Sequence, residues 1–211
     1  MIIAVDGPAA SGKGTIARAL AQQFALPYLD TGLLYRAVAV QVLRNGGDPH
    51  DEADAARATA FPDALLADDA LRSEAASRAA SIVSAHTTVR AALLDRQRRF
   101  AAQPGGAVLD GRDIGTVIAP HADAKLFVTA PPEVRAGRRF RQLQDEGRLA
   151  DYGQVLADIR ARDARDSGRA TAPLKPAPDA VILDTGNVTV AQAVDAALRA
   201  VGRNADLYGK R

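Results

Sequence analysis

A glycine-rich stretch near the start of the chain carries the residues best suited to hold phosphate. The run GPAASGKGT, which begins at Gly7, follows the apolar segment IIAVD. A turn between a buried strand and a helix aims successive backbone N–H groups at one point, where the helix dipole also favours an anion. Gly7 and Gly12 let the backbone curl around that anion. Lys13 adds a mobile positive charge, and Thr15 supplies a hydroxyl near the expected Mg²⁺ position.

The ending of this loop narrows the class of nucleotide-binding protein. The strict phosphate-loop pattern places Ser or Thr directly after the lysine, but here Gly14 intervenes. The Gly-Lys-Gly-Thr ending is the variant that nucleoside monophosphate kinases use. The sequence has neither the Asn-Lys-x-Asp motif with which regulatory GTPases read guanine nor a transporter-type ATPase signature. The loop predicts a site for the phosphates of a nucleotide, and it comprises Gly7, Pro8, Ala9, Ala10, Ser11, Gly12, Lys13, Gly14 and Thr15.

Two arginines and an aspartate stand at or just past predicted strand ends. Arg36 lies in LDTGLLYR after the second predicted strand, and Arg112 lies in LDGRDIGTV after the third. Ligands of open parallel sheets bind beyond the carboxyl ends of the strands, so both side chains could hold an acceptor phosphate for in-line transfer. Asp110 is a candidate for holding Mg²⁺ through water. The alternative for the two arginines is a surface salt bridge, and the alternative for Asp110 is a simple strand-end cap.

The elements that must position these residues alternate between strand and helix. This alternation predicts an α/β fold with a parallel sheet. Strands are predicted at 2–6, 27–30, 107–110, 124–130 and 180–184, and helices directly after the first strand and at about 33–44, 74–100, 132–146, 151–166 and 188–201. Two further segments, 45–72 and 146–176, have the composition of insertions on this core.

The overall composition excludes several classes of protein. The chain has 211 residues and no cysteine, so disulfides and thiolate metal sites are excluded, as is usual in a reducing compartment. No leader-like or membrane-spanning apolar run is evident, so we expect a cytoplasmic protein without a membrane partner. The 27 basic residues nearly balance 25 acidic ones and interleave with them, while aromatic residues are 4%, which argues against a nucleic-acid partner.

The ordered motifs resemble the bacterial cytidylate kinases over nearly the whole chain. The matching stretches are GPAASGKGT, LDTGLLYR, AASIVSAHTTVRAALLDRQRRF, LDGRDIGT, RARDARDSGRATAPL and AVILDTG. The resemblance implies a P-loop kinase with a five-stranded parallel sheet that phosphorylates CMP and dCMP with ATP, which is bound by the phosphate loop. We expect it to act with Mg²⁺ and as a monomer. It also implies a core at 1–30, 101–145 and 177–211, an acceptor-nucleotide domain at about 31–100 and a lid at about 146–176. Another small-molecule P-loop kinase, acting on UMP and CMP or on AMP, is the alternative.

The same resemblance implies roles for individual residues. The acceptor phosphate would be bound by Thr31, Tyr35, Arg36 and Arg112, the cytosine by Ser81, Arg90, Asp113 and Arg169, and the sugar by Arg162 and Asp166. Arg165, on the neighbouring row of the predicted helix, is a candidate from its position to clamp the ATP phosphates. The catalytic set is then Lys13, Arg112, Arg162 and Arg165, and the Mg²⁺ set is Thr15 and Asp110.

Residue chemistry agrees with these roles. Cytosine presents acceptors at N3 and O2 and a donor amine, which arginine donors with one hydroxyl or carboxylate acceptor complement. Uracil carries a proton at N3, so an arginine aimed there would reject it. The spacing of Arg162, Asp166 and Arg169 places them on one face of the predicted helix. A solvated row of ion pairs is the alternative for that face.

One segment departs from the family pattern. Longer bacterial cytidylate kinases carry a small three-stranded sheet in the acceptor domain, and the interval 45–73 is too short for it. Alanine and aspartate dominate this interval, and its apolar residues do not alternate over the length of a strand. We predict short helices and loops here, with CMP still the preferred acceptor.

Overall fold

Five strands form one sheet in the computed structural model, which describes residues 1–208 and their side chains through residue 202. The strands, β1 to β5, are Ile2–Asp6, Tyr28–Asp30, Ala107–Gly111, Ala124–Thr129 and Val181–Asp184. Their order across the sheet is β2-β3-β1-β4-β5, and β1 runs parallel to β3 and β4, as β4 does to β5. The predicted α/β fold with a five-stranded parallel sheet is confirmed.

The sheet is stabilised by a core between its central strands and two helices. Every residue of β3 is buried, as expected for a parallel strand that is covered on both faces. Side chains from β1, β3 and β4 pack against two helices, α1 (Lys13–Gln23) and α8 (Val190–Tyr208). The buried residues of this core include Ile3, Val5, Val108, Leu126 and Val128 of the strands and Ile16 and Leu20 of α1. This core fixes the carboxyl ends of the central strands, where the chemistry-bearing residues stand.

The part of the chain that the structure describes contains eight α-helices. Helices α1 to α8 are Lys13–Gln23, Thr31–Arg44, Glu52–Arg57, Glu74–Val83, Thr87–Ala101, Pro132–Asp145, Tyr152–Gly168 and Val190–Tyr208. One π-helical turn, Ile114–Ile118, follows β3 directly. Among residues 1–208, no helix combines the length and the apolar character needed to cross a membrane.

The chain divides into two compact units. The strand unit contains Met1–Leu29 and the chain from Ala101 onward, and the helical unit is Asp30–Phe100. Within the helical unit, α2 packs against α4. The Asp30 carboxylate caps α2 by accepting a hydrogen bond from the Gly32 N–H at 2.9 Å.

The interval between residues 45 and 75 contains no strand, as predicted. It forms α3 and three short 3₁₀ turns, Ala58–Ala60, Asp63–Ala67 and Asp69–Arg72. The abundant aspartates cap these elements: Asp51 accepts from the Asp54 N–H at 2.8 Å, and Asp68 accepts from the Ala70 N–H at 2.8 Å.

The prediction of a single helix over 74–100 is wrong. The segment forms two helices, α4 and α5, separated by residues 84–86. The His86 ring nitrogen Nε2 lies 2.9 Å from the Pro49 carbonyl oxygen, a tertiary contact that holds the break in place. The interruption therefore depends on a residue 37 positions away.

Candidate active site

The phosphate loop has the backbone geometry of an anion-binding turn. A Cβ atom at Gly7 would lie 2.1 Å from the Val128 carbonyl oxygen, so only glycine fits where β1 leaves the sheet beside β4. Gly12 has φ of 91°, and Ala10 adopts a left-handed φ of 58°. This curled backbone leads directly into α1 at Lys13.

The N-terminus of α1 faces this loop without a side-chain cap. The Gly12 carbonyl accepts hydrogen bonds from the Thr15 and Ile16 N–H groups, both at 3.1 Å. Within the part of the chain that the structure describes, no side chain caps the first turn of α1. A helix end of this kind, with Lys13 in its first position, favours a bound phosphate.

Two carbonyl groups of the phosphate loop accept hydrogen bonds from side chains outside the loop. One donor lies on α6, and the other is Thr185, the residue after β5. Arg135 donates to the Ala9 carbonyl at 3.2 Å, and the Thr185 hydroxyl donates to the Ser11 carbonyl at 2.9 Å. Arg138 in turn donates to the Thr185 hydroxyl at 2.9 Å. The loop is therefore positioned by buried polar contacts as well as by its glycines.

A cavity of about 280 Å³ opens beside the loop. Its wall combines apolar side chains with a few arginine and threonine groups, the usual mixture in small-molecule sites. The lining residues are Ala10, Ser11, Gly12, Thr15, Ile16, Arg138, Arg139, Gln142, Thr185, Val188, Thr189, Val190 and Ala193. A nucleotide base and sugar could occupy this space while their phosphates extend into the loop.

The two predicted Mg²⁺ residues supply oxygen atoms at the loop. Asp110 is buried at the end of β3, and its Oδ1 accepts a hydrogen bond from the Tyr28 hydroxyl at 3.0 Å. Its Oδ2 would lie 3.4 Å from a Cβ atom at Gly14, which places the carboxylate against the start of α1. Thr15, in that first turn, is exposed. Carboxylate and hydroxyl oxygens are the hard donors that suit Mg²⁺ bound mainly by nucleotide phosphates, so these residues fit that ion.

Three arginines of the strand unit converge on one buried carboxylate. The Arg112 Nε donates to the Asp166 Oδ2 at 2.8 Å, while Arg162 and Arg169 approach the same carboxylate to 3.9 Å. Burial alone would raise the pKa of Asp166, but the three guanidinium groups lower it below its usual value. Three positive charges around one negative charge leave a site that attracts a further anion.

The prediction that Arg162, Asp166 and Arg169 share one helix face is only partly correct. Arg162 and Asp166 lie on α7, but Arg169 follows its last residue in an extended conformation and does not share the helix face. Arg169 still reaches Asp166, because the chain turns back at this point. Arg165 is exposed on α7, whereas the Arg169 side chain is buried.

Asp6 is a site-forming residue that the sequence analysis missed. It ends β1 directly before the phosphate loop and accepts hydrogen bonds from the Ile114 and Gly115 N–H groups, both at 2.8 Å. These bonds hold the π-helical turn that follows Asp113. Burial, with a contribution from the Asp113 charge, raises the pKa of Asp6 to about 7. The signal was an aspartate that ends an apolar strand directly before the loop.

Asp6 should make stability depend on pH. Its pKa in the folded protein, about 7, exceeds the ordinary value of 3.8, so folding takes up a proton between these values. The stabilising contribution is therefore complete at low pH and is lost as pH rises through about 7. We expect the unfolding free energy of the wild type, relative to Asp6→Asn, to fall between about pH 4 and about pH 7. Urea unfolding of both proteins across this range measures it, and a constant difference would contradict the assignment.

The predicted site residues of the helical unit lie on α2, α4 and α5. The guanidinium of Arg90 lies over the ring of Tyr35, 5.5 Å from its centroid, and donates to the Ser84 carbonyl at 3.3 Å. Arg36 donates to the Leu71 carbonyl at 2.9 Å. Thr31 and Ser81 are buried on α2 and α4. The structure thus brings Arg90 and Tyr35 together.

Sequence comparisons give close relatives over nearly the whole chain. A family model described as cytidylate kinase matches residues 3–203. The chain is 61% identical to the cytidylate kinase of Xanthobacter autotrophicus over 201 residues, which cover 95% of this chain and 97% of that protein. It is 59% identical to the cytidylate kinase of Methylocella silvestris, with 94% and 92% coverage.

A solved structure shares the fold. A crystal structure of an uncharacterized protein from Eubacterium ventriosum superposes with a TM-score of 0.57 at 18% identity, covering 96% of this chain and 98% of that one. At this identity the similarity concerns the arrangement of strands and helices alone.

Proposed function

The chain belongs to the cytidylate kinase family, and from that premise we propose which residues bind the two nucleotides and promote phosphoryl transfer. Its reaction is the Mg²⁺- and ATP-dependent phosphorylation of CMP and dCMP to CDP and dCDP. The observation that carries the residue assignment is the cluster of Arg112, Arg162 and Arg169 around Asp166, in the same unit as the phosphate loop. The alternative acceptors UMP and AMP are not favoured by the comparisons.

In the proposed reaction, a phosphate oxygen of CMP attacks the γ-phosphorus of ATP. A new P–O bond forms to CMP, and the bond from the γ-phosphorus to the β,γ-bridging oxygen breaks, which releases ADP. No covalent enzyme intermediate is needed, because phosphoryl transfer depends mainly on positioning and on charge stabilisation. Lys13 is assigned to the transferred phosphoryl group, and Arg112, Arg162 and Arg165 to the charge that develops around it.

The donor nucleotide is assigned to the phosphate loop and the adjoining cavity. The loop N–H groups and the N-terminus of α1 would hold the phosphates, and the cavity beside Val188 and Val190 would take the base. Thr15 and Asp110 would hold Mg²⁺, Asp110 through water. When bound, the ion would neutralise phosphate charge.

The residues assigned to the acceptor nucleotide follow from the resemblance to the family and are given for each unit separately. In the helical unit, Thr31, Tyr35 and Arg36 are assigned to its phosphate, and Ser81 and Arg90 to the cytosine. In the strand unit, Arg112 is assigned to the phosphate, Asp113 and Arg169 to the cytosine, and Arg162 and Asp166 to the sugar. We accordingly propose that residues 31–100 form the acceptor domain and that 146–176 form a lid which excludes water.

A substitution at Arg90 should lower the activity on CMP much more than the activity on UMP. Arg90→Met removes the donor assigned to the base while keeping much of the side-chain volume. We expect kcat/KM to fall by about 100-fold or more for CMP and little for UMP, because UMP cannot accept the hydrogen bond at N3. Steady-state kinetics with both acceptors at saturating ATP measure the ratio.

The matched control is Arg96→Met on the same helix. Arg96 also lies over an aromatic ring, that of Phe61 at 5.6 Å, and pairs with Asp63 at 2.8 Å. Since it has no assigned ligand contact, we expect this variant to keep the CMP to UMP ratio. Equal losses on CMP and UMP in Arg90→Met would show that Arg90 serves the phosphate or the fold instead.

The reaction itself is tested by product identification. Purified protein with ATP, Mg²⁺ and CMP should yield CDP and ADP in equal amounts, resolved by ion-exchange chromatography. Chelation of Mg²⁺ should stop the reaction, and its readdition should restore it. Hydrolysis of ATP without CDP would contradict the proposed transfer.

We also propose that the enzyme acts as a monomer in the cytoplasm and without a nucleic-acid partner. Every residue assigned to the two nucleotides comes from one chain, so a second copy is not needed to complete the site. Several exposed arginines are paired with acidic residues, among them Arg44 with Asp68, Arg160 with Glu133 and Arg199 with Asp195. ATP and CMP, the substrates, are metabolites of the cytoplasm.

A further inference from the structure

A buried arginine connects the phosphate loop to helix α7. Arg135, in the first turns of α6, is 3% exposed. Its Nε donates to the Ala130 carbonyl at 2.8 Å, which anchors the side chain to the end of β4. Its other nitrogen atoms point to two further elements. No role in binding nucleotide has been assigned to this residue.

The first of these elements is the phosphate loop. The Nη1 of Arg135 donates to the Ala9 carbonyl at 3.2 Å. The carbonyl and N–H of one trans peptide point in opposite directions, so fixing the Ala9 carbonyl also fixes the direction of the Ala10 N–H. Ala10 has a left-handed φ of 58°, a conformation that a non-glycine residue keeps only when its surroundings enforce it.

The second element is α7. Nη1 and Nη2 of Arg135 donate to the two oxygens of Asp163 at 3.0 and 2.5 Å, a bidentate pair. Asp163 precedes Asp166 by three residues on this helix, and Asp166 pairs with Arg112. Two aspartates on α7 therefore tie the helix to two arginines, one contacting the phosphate loop and the other placed at the end of β3.

We propose that Arg135 is a positioning residue whose pair with Asp163 couples the placement of α7 to the orientation of the Ala9–Ala10 peptide. The inference rests on the proposed function, since α7 carries Arg162 and Arg165 of the catalytic set. When Asp163 holds Arg135, the loop and the helix are aligned together for transfer. Loss of the pair should reduce turnover and leave recognition of CMP unchanged.

The test compares two ion pairs that link the same two helices. Asp163→Asn keeps the size of the side chain but removes the charge that fixes the guanidinium. Glu133→Gln is the matched control, because Glu133 pairs with Arg160 at 2.6 Å between α6 and α7, and both side chains are more than half exposed. Arg135→Lys keeps the charge but loses the guanidinium fork, which donates to four oxygen atoms on three residues.

We expect Asp163→Asn to lower kcat by about 10- to 100-fold, because a small misplacement of the reacting groups has an effect of this size. The KM for CMP should stay within about threefold of the wild-type value. Glu133→Gln should match the wild type. The double variant Arg135→Lys/Asp163→Asn should lose little more kcat than the less active single variant, because both changes break the same ion pair. Thermal melting of each protein, measured in parallel, confirms that the assays use folded enzyme.

Three results would overturn this inference. The first is that the wild type is active and Asp163→Asn has nearly the same kcat. The second is that Asp163→Asn and Glu133→Gln lose kcat equally. The third is a loss confined to KM for CMP. A wild type that makes no CDP would instead overturn the proposed function, and this inference with it.

Discussion

Replacing Lys13 by alanine is expected to lower kcat by about 10³- to 10⁵-fold, the scale associated with a single cation that stabilises transferring phosphate. Lys13 is the first residue of α1, where the curled loop and the helix N-terminus already favour an anion. Its ammonium adds a full charge that can follow the phosphoryl group from ATP to CMP. Steady-state turnover at saturating ATP and CMP measures the effect.

The control for this variant is Lys175→Ala. Lys175 is exposed and is assigned no ligand, so its loss should leave kcat within about twofold of the wild type and stability almost unchanged. Circular dichroism and thermal melting should show that Lys13→Ala is folded. Near-normal turnover in folded Lys13→Ala would refute the role of the loop in transfer.

Replacing Arg112 by lysine is expected to lower kcat/KM for CMP by about 10²- to 10³-fold, as for loss of one donor aimed at developing charge. The change keeps the positive charge but loses the fork of a guanidinium whose Nε holds Asp166 at 2.8 Å. A lysine ammonium has a single nitrogen, so it cannot donate to Asp166 from one nitrogen and to a phosphate from another. The prediction is measured by varying CMP at saturating ATP.

Arg160→Lys serves as the control for Arg112→Lys. Arg160 also pairs with a carboxylate, Glu133, but on the exposed surface, where such pairs contribute little. We expect this variant to keep kcat/KM. If Arg112→Lys behaved like Arg160→Lys, the assignment of Arg112 to the acceptor phosphate would be wrong.

The parts of this fold that local sequence determines were predictable. Each strand is a short apolar run followed by a small or acidic residue, and each of the five forms close to its predicted bounds. The phosphate loop was also predictable, since its glycines are needed at fixed positions: Gly7 has no room for a side chain, and Gly12 has a positive φ. The aspartates and serine in 45–75 cap short helical elements, which explains why this interval forms no strand.

The parts that depend on distant contacts were not predictable. The break between α4 and α5 is held by the contact of His86 with Pro49, and nothing in the run SIVSAHTTVR alone specifies that partner. The bonds from Asp6 to Ile114 and Gly115 join residues more than 100 positions apart. The pair of Arg135 with Asp163 likewise requires two helices to be packed before it can be recognised.

The acceptor specificity of the wild-type enzyme tests the central claim most directly. The measurement is kcat/KM for CMP, dCMP, UMP and AMP under identical conditions, with saturating ATP and Mg²⁺. We predict that CMP and dCMP exceed UMP and AMP by about 100-fold or more, because mispaired polar groups in a buried base site are strongly rejected. An enzyme that prefers AMP or UMP would contradict the assignment of this site to cytidine nucleotides.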